Sequence, residues 1–344
     1  MRRQKWLGLI VASGLFMAIL IIPTLIVVPF IGSNEVNVVQ EAPSTKEESV
    51  GELSEDLSSF SIRVLRSGSG EVEKVPLETY VARVVASEMP ATFEVEALKA
   101  QSLAARTYIT RHLVQESAVS SEADVTDTVN HQVYKNDQEL RQQWQDRYAE
   151  NMKKINQAVK ETAGEIITYE HQPITAAFFS TSNGYTENAE DYWENEIPYL
   201  RSVESPWDEA SPKFVDQKVV SLEELQASLG VALNTDLSNT KMTKTEGNRV
   251  EKVVFGDQAF SGREIREKLS LPSSDFTIQQ KGDHVIFTTK GYGHGVGMSQ
   301  YGANGMAMNG KSYKDIVHHY YQNTEISPMS KQTASLMEGE KPVN

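Results

Sequence analysis

Glu88 is the residue of this 344-residue chain whose position most clearly suggests acid–base chemistry. It lies in the phrase Ser-Glu-Met-Pro, directly after an apolar run with helical spacing, and Pro90 prevents that helix from continuing. The carboxyl therefore stands at a helix C-terminus, where the partial negative charge of the helix disfavours a second negative charge. If the carboxyl is also partly buried, its pKa rises and it keeps its proton toward neutral pH, as a general acid requires.

Two basic residues follow in the next predicted helix, which begins near Thr92. Lys99 and Arg106 are seven residues apart in the sequence and therefore share one face of that helix. Either could bind polar groups of a substrate, or lower the pKa of Glu88 from within salt-bridge distance and so oppose the helix-end effect. Arg106 could equally form an internal salt bridge that stabilises the fold, and Lys99 could belong to a solvated helix face.

Apolar periodicity predicts the elements that position these residues. The helix that ends at Glu88 begins after Pro76 and carries one apolar stripe. A third helix is predicted over residues 136–164 with a capping box at its start, and a hairpin follows that turns at Glu170 to Pro173. The predicted fold class is α+β: a single N-terminal transmembrane helix, then a mixed α/β ectodomain with an inserted smaller α+β subdomain at about residues 210–290.

The transmembrane prediction rests on an uncharged, strongly apolar run from Trp6 to Asn34. Basic residues precede the run and the first charge after it is acidic, which predicts a cytoplasmic N-terminus and an extracytoplasmic ectodomain. A cleaved signal peptide is the alternative, but its apolar region would be shorter and a small-x-small site would follow. The predicted organisation is a stub (1–5), a membrane helix (6–34), an acidic disordered spacer (35–59), the ectodomain (60–327) and a polar tail (328–344).

Composition excludes several classes of protein. The formal net charge of −14 argues against DNA or RNA as a partner, because those require clustered Lys and Arg. The chain has no Cys, so disulfides, thiolate metal ligands and a Cys nucleophile are all excluded. Neither HExxH nor GxSxG occurs, which argues against a peptidase.

Hydroxyl, amide and aromatic side chains after the hairpin suggest a sugar-binding groove. The polar string of residues 180–186 is followed closely by aromatic residues, and a glycine-rich run of residues 291–302 comes near the end of the chain. Four alternating glycines in that run would leave one face of a strand bare, so another group is expected to approach it closely. Ser182, Tyr199 and His294 are the candidates for the groove walls, although Tyr199 could be a core aromatic and His294 a hydrogen-bonded strand residue.

The phrases SEMP, ALKAQSLAARTY, STSNGYTENAEDYW, PYLRSV and GYGHGVGMSQYGA occur in this order, and together they resemble the SpoIID/LytB family over about residues 60–326. The resemblance implies a lytic transglycosylase of peptidoglycan that cuts peptide-free glycan strands between muramic acid and glucosamine. It implies a role in engulfment in endospore-forming bacteria, in the engulfing septal membrane of the mother cell. The implied partners are a SpoIIM-like membrane protein and a SpoIIP-like amidase/endopeptidase.

A lytic transglycosylase can use one carboxylate, since the C6 hydroxyl of the sugar is the nucleophile. In this scheme Glu88 is the single catalytic acid and base. The predicted substrate-binding residues are Arg106, Lys99, Ser182, Tyr199 and His294. No cofactor is expected.

The sequence departs from the family at one place. Relatives with a zinc site carry two Cys just before the QVY phrase, and Thr126 and His131 stand there in this chain. A zinc site needs three or four ligands, and only His131 and Asp127 remain nearby. We therefore predict no structural zinc.

Two other classes of function remain open. One is a non-catalytic wall-binding protein that stimulates a partner amidase, in which Glu88 would tolerate replacement by Gln. The other is an assembly scaffold that holds SpoIIM-like and SpoIIP-like partners together. A scaffold role is compatible with enzymatic activity in the same chain.

Overall fold

The computed structural model describes residues 53–54, 57–58, 60–115, 118–193, 195–233, 237 and 240–329. Within these ranges the chain has the mixed α+β composition that the sequence predicted. The predicted fold class nevertheless needs a correction, because no helix among the described residues is both long and apolar enough to cross a membrane. The longest of them, Val95–Val114, carries charged side chains along its length. The predicted membrane helix, residues 6–34, lies outside the described ranges.

The helices and strands alternate irregularly along the chain. The α-helices are α1 (Leu77–Glu88), α2 (Val95–Val114), α3 (Asp137–Trp144), α4 (Tyr148–Glu161), α5 (Ala189–Trp193), α6 (Leu222–Leu229), α7 (Gly262–Lys268), α8 (Gln300–Met308) and α9 (Tyr313–Tyr320). The strands are β1 (Ser61–Leu65), β2 (Val72–Pro76), β3 (Val125–Thr126), β4 (Glu165–Tyr169), β5 (Gln172–Pro173), β6 (Phe178–Phe179), β7 (Val215–Ser221), β8 (Met242–Lys244), β9 (Val250–Phe255), β10 (Gln258–Ser261), β11 (Asp275–Lys281), β12 (His284–Lys290), β13 (Met298–Ser299) and β14 (Glu325–Pro328).

Two hydrophobic clusters organise these elements. The larger one contains the buried faces of α1, α2, α4, α8 and α9, bordered by the small sheets β2-β1-β3 and β14-β4-β5. The smaller cluster draws its residues from 220 to 287, where α6 and α7 pack with the sheets β10-β9-β8 and β11-β12-β7. The parallel pair β6 and β13 joins two segments that are far apart in the sequence. The assignment of residues 210–290 as an inserted subdomain stays a prediction.

Helix α1 has the bounds that its sequence predicts. It begins directly after Pro76, whose missing N–H costs nothing at a helix start, and its apolar stripe is buried. It ends at Glu88 because Met89 adopts an extended conformation ahead of Pro90. The predicted helix end at the carboxyl is therefore confirmed.

The predicted long helix over residues 136–164 is wrong in one respect, because the structure divides it. Asn136 and Glu139 form the expected capping box at the start of α3, but α3 ends at Trp144. Gln145 then has a positive φ of 48°, and a short 3-10 turn precedes α4. A run of good helix formers gives no local signal for this break. The predicted hairpin is confirmed in its position, with Glu170 and His171 at positive φ between β4 and β5. Its second strand is shorter than predicted, because β5 contains only Gln172 and Pro173, which were expected in the turn.

Residues 291–297 of the glycine-rich run form a loop whose four glycines have positive φ. Met298 and Ser299 then form β13, and residues 300–302 open α8. The expected close approach is confirmed. A Cβ on Gly295 would collide with the guanidinium of Arg249, and one on Gly297 would collide with the carbonyl of Ala177. Because Gly297 has no side chain, the loop can lie against the residue that precedes β6, and β13 can pair with β6. Because Gly295 has none, the Arg249 side chain has room beside the loop.

We expect Gly297→Ala to lower the free energy of unfolding by about 2–4 kcal/mol, since the left-handed backbone disfavours a side chain and overpacking adds to that cost. Urea denaturation would measure the change. Gly68→Ala is the matched control, because nothing lies within 4 Å of its Cβ position and its φ is not positive. Equal losses at the two positions would contradict the close-approach explanation.

Candidate functional site

The carboxyl of Glu88 is half-buried at the C-terminus of α1. Its Oε1 accepts a hydrogen bond of 3.0 Å from the main-chain N–H of Val133. Burial raises the pKa of Glu88, and the Val133 hydrogen bond opposes that rise because it favours the charged form. The net direction is upward, so the carboxyl holds its proton at higher pH than an ordinary glutamate does.

The loop that supplies this N–H is itself anchored. The hydroxyl of Tyr80, on α1, donates to Oε1 of Gln132 at 3.3 Å, one residue before Val133. The rings of Tyr80 and Tyr134 stack with their centroids 5.6 Å apart. Burial raises the pKa of Tyr80 well above its usual value, with the nearby charge of Glu88 among the further causes, so the phenol stays a donor. The donor to Glu88 is thus held by contacts on both sides.

The glycine-rich phrase at the other end of the chain reaches the same point. Gln300, the first residue of α8, donates from Nε2 to the main-chain carbonyl of Glu88 at 3.0 Å. These two residues are 212 positions apart in the sequence. The fold therefore brings the SEMP and GMSQYGA phrases together at the end of α1.

Lys99 binds other acids. Its Nζ lies 2.6 Å from a carboxylate oxygen of Glu96 and 2.6 Å from one of Glu161. The ion pair with Glu161 links α2 to the end of α4, and the side chain of Lys99 is only 12% exposed. Lys99 therefore forms no ion pair with Glu88, and the alternative in which it lowers the pKa of Glu88 has no geometric basis.

Arg106 is fully buried inside the large cluster. Its Nη2 lies 2.6 Å from Oε2 of Glu78, its Nε lies 3.0 Å from Oε1, and its Nη1 donates to the carbonyl of Glu165 at 3.0 Å. Glu78 is also fully buried. The geometry corresponds to the internal salt bridge that was one of the two alternatives for Arg106.

Ser182 is buried in a polar network centred on Asp208. The hydroxyl of Ser182 donates to Oδ2 of Asp208 at 2.8 Å, and its N–H donates to Oδ1 at 2.9 Å. Ser205 and Ser299 donate to the same carboxylate at 2.6 and 2.5 Å. Burial raises the pKa of Asp208, and these hydrogen bonds oppose the rise. Ser182 therefore shares the Asp208 carboxylate with Ser205 and Ser299, so these hydrogen bonds join three segments of the chain.

Tyr199 and His294 contact residues other than Glu88. The hydroxyl of Tyr199 accepts from the N–H of Thr175 at 2.9 Å, and the residue is 8% exposed. His294 is half-buried, and its ring lies 5.6 to 5.7 Å from the rings of three aromatic residues: Phe179, Tyr192 and Trp193. Burial, with nearby arginines adding to it, lowers the pKa of His294 to about 4, so the imidazole is neutral at pH 7.

None of the five predicted substrate-binding side chains hydrogen-bonds or ion-pairs with Glu88 in the part of the chain that the structure describes. Their assignment as substrate-binding residues stays a prediction. The residues that do meet Glu88, Val133 and Gln300, were not selected from the sequence. Gln300 lies in a phrase that sequence reasoning singled out, whereas a main-chain donor such as Val133 carries no sequence signal.

The segment from Thr126 to His131 is held by hydrogen bonds. Oγ1 of Thr126 and Nδ1 of His131 are 2.8 Å apart, and the rings of His112 and His131 meet edge to face at 5.1 Å. Nε2 of His112 pairs with the carbonyl of Asp124 at 3.0 Å. Among the described residues no group of three or more His, Asp or Glu side chains could hold a metal. The residues present do not fit a zinc site, and the absence of a structural zinc stays a prediction.

The raised pKa of Glu88 predicts a pH dependence of stability. The native state binds this proton more tightly than the unfolded state, where the ordinary pKa of 4.5 applies. The stabilisation is complete below pH 4.5 and is lost as the pH rises through the raised pKa. We expect the free energy of unfolding of the wild type, relative to Glu88→Gln, to fall over that window. Urea denaturation at a series of pH values would measure it, and a rise would contradict the burial.

Comparison with known proteins defines the class. The family profile described as "SpoIID: Stage II sporulation protein" matches residues 66–169. The chain is 51% identical to Stage II sporulation protein D of Bacillus subtilis (strain 168), over 92% of this chain and 95% of that protein. It is 49% identical to Stage II sporulation protein D of Bacillus amyloliquefaciens, over 92% and 94%. The chain therefore belongs to the SpoIID family of sporulation proteins, as its sequence phrases suggested.

A more distant relative carries a different name. The chain is 28% identical to the Amidase enhancer of Bacillus subtilis (strain 168), over 71% of this chain and 40% of that protein. The shared region thus occurs in a larger protein with a different stated role.

Proposed function

We propose that this sporulation protein is a lytic transglycosylase that cuts peptide-free glycan strands of peptidoglycan, with Glu88 as its single acid and base. The observation that carries the proposal is the placement of Glu88. A half-buried carboxyl at a helix C-terminus has a raised pKa and keeps one hydrogen bond, from Val133, that can stabilise its charged form. No charged side chain of the described residues forms an ion pair with it.

The chemistry needs those two properties in succession. Glu88 first gives its proton to the glycosidic oxygen as the bond from that oxygen to C1 of the muramic residue breaks. The C6 hydroxyl of the same muramic residue then bonds to C1, which closes an anhydro ring, and its proton passes to the Glu88 carboxylate. The acid is thereby restored without water. Ordinary glycosidases need a second carboxylate as base or nucleophile, and here the substrate hydroxyl takes that role.

The first experiment is to incubate the full-length protein with purified peptide-free glycan strands and to analyse the soluble products by mass spectrometry. Anhydro-muramic ends support the proposal. Reducing ends would instead identify a hydrolase that uses a second carboxylate. Absence of cleavage by folded protein that still binds the strands would overturn the proposed activity.

A second candidate is a non-catalytic enhancer of a partner amidase, which the similarity to the Amidase enhancer favours. In that case the folded protein would bind strands without cutting them, and Glu88→Gln would stimulate an added amidase as well as the wild type does. Release of stem peptides from intact sacculi by a purified SpoIIP-like amidase would measure the stimulation.

We further propose that the protein acts on the extracytoplasmic wall during engulfment, because its proposed substrate lies there. The proposed partners are SpoIIM-like and SpoIIP-like proteins. Co-purification of the full-length chain with each candidate from sporulating cells would test this. Failure to recover either partner after crosslinking would contradict the assignment.

A further inference from the structure

The main-chain carbonyl of Glu88 has an unusual partner for the end of a helix. The last carbonyls of a helix lack intrahelical donors, and α1 has no basic residue in its last turn to supply one. The side-chain amide of Gln300 fills this role at 3.0 Å. A carbonyl can only accept, so the hydrogen bond itself determines which end of the Gln300 amide faces α1.

Gln300 is held firmly at its own base. It is 6% exposed and opens α8, where the hydroxyl of Ser299 caps the helix by accepting from the N–H of Gly302 at 3.2 Å. The same hydroxyl donates to Asp208 at 2.5 Å, and Asp208 is fully buried. Because the backbone next to Gln300 is held in this way, its side-chain amide can hold the Glu88 carbonyl in a fixed position.

A second buried amide lies against the first. Oε1 of Gln101, a fully buried residue of α2, is 3.5 Å from Nε2 of Gln300. Nε2 of Gln101 has no hydrogen-bond partner among the described residues. Such a donor costs roughly 1–3 kcal/mol in other proteins, and an apolar residue of similar size would avoid that cost. Stability lost in this way is typical of the surroundings of a functional group.

We propose that Gln300 is a positioning residue for Glu88, whose bond to the Glu88 carbonyl fixes the end of α1 and keeps the carboxyl in its half-buried place beside the Val133 N–H. The inference rests on the proposed function of Glu88. Without the bond the last turn of α1 frays, the carboxyl gains solvent, and its pKa falls toward the ordinary 4.5. A general acid so altered loses its proton at lower pH.

The test compares Gln300→Met and Gln300→Ala with the wild type in the full-length protein. Met keeps the length of the side chain but lacks the hydrogen-bond donor. Ala also lacks the donor and leaves a space where the side chain lay. The two variants therefore destabilise the fold for different reasons, and a result shared by both cannot be explained by misfolding of one of them. Asn304→Ala is the matched control. Asn304 is another amide side chain on α8, and its Oδ1 accepts a hydrogen bond from the N–H of Glu94 at 2.8 Å. Its replacement by Ala removes that amide and leaves the hydrogen bond to the Glu88 carbonyl in place.

The first readout is the titration of the Glu88 carboxyl, which carbon NMR with glutamate-selective labelling would monitor. The Glu88 signal would be assigned by its absence in Glu88→Gln. We expect the midpoint to move to lower pH in both Gln300 variants and to stay unchanged in Asn304→Ala. The second readout is cleavage of peptide-free strands. We expect kcat to fall about 10- to 100-fold with KM nearly unchanged, and the alkaline limb of the pH profile to shift to lower pH.

An unchanged Glu88 midpoint in a folded Gln300 variant would overturn the inference, as would a rise in KM alone. The NMR measurement does not depend on catalysis. If the wild type cleaves no glycan but the midpoint still moves, the proposed function fails and the positioning of Glu88 by Gln300 stands.

Discussion

Glu88→Gln is expected to fold normally and to cleave peptide-free glycan strands about 10²- to 10⁴-fold more slowly than the wild type, the range that a positioned general acid contributes. Glutamine has the same shape and keeps an oxygen that can accept the Val133 N–H, so the end of α1 should stay in place. It has no proton to give to the glycosidic oxygen and no charge to take one back. The loss should therefore appear in kcat, measured by release of anhydro-muramic ends.

Glu94→Gln is the control for this substitution. Glu94 is an exposed residue at the N-cap of α2, and its side chain makes no capping hydrogen bond. Its replacement should leave the cleavage rate within about twofold of the wild type, as for an ordinary surface site. Retention of wild-type activity by folded Glu88→Gln would remove this residue from the mechanism and transfer support to the enhancer alternative.

Arg106→Met is expected to lower the free energy of unfolding by about 3–5 kcal/mol, because it leaves the buried carboxylate of Glu78 without its partner. In a domain of this size the loss corresponds to a fall of roughly 6–20 °C in Tm. The substitution keeps most of the side-chain volume, so the cost comes mainly from the uncompensated charge. Calorimetry and urea denaturation would measure the change.

The double variant Glu78→Leu with Arg106→Met removes both charges and should recover much of the lost stability. Lys99→Met serves as the comparison, since its ion pairs to Glu96 and Glu161 lie nearer the surface and should be worth about 1 kcal/mol or less each. If Arg106→Met kept wild-type stability but lost glycan binding, Arg106 would be a substrate ligand after all and the internal salt bridge would be incidental.

Local features of the sequence determined a substantial part of this structure. The apolar stripe after Pro76 and the stop at Pro90 located α1 and placed Glu88 at its end. The capping box at Asn136 and Glu139 located the start of α3, and the alternating glycines required a close approach by another group. Each of these signals depends on side chains within a few residues of one another, which is why they are readable without the fold.

Two predictions of local structure were wrong or incomplete for a common reason. The break at Gln145 divides a stretch with good helix propensity, so tertiary packing overrode a weak local preference. Residues 291–297 of the glycine-rich run also form a loop with positive φ at its four glycines, because the groups that pack against it come from other segments of the chain. The predicted membrane helix is a separate case, because residues 6–34 lie outside the described residues; no helix among the described residues could span a membrane.

The immediate surroundings of Glu88 were decided by tertiary structure alone. The amide of Gln300 arrives from 212 residues away, and the N–H of Val133 belongs to the main chain, which every residue possesses. The pairing of Arg106 with Glu78 joins two helices across a buried interface. The sequence by itself thus determined the family, the helix and the position of the carboxyl. Only the fold decided which groups surround that carboxyl and set its pKa, because burial and long-range hydrogen bonds arise when distant segments pack together.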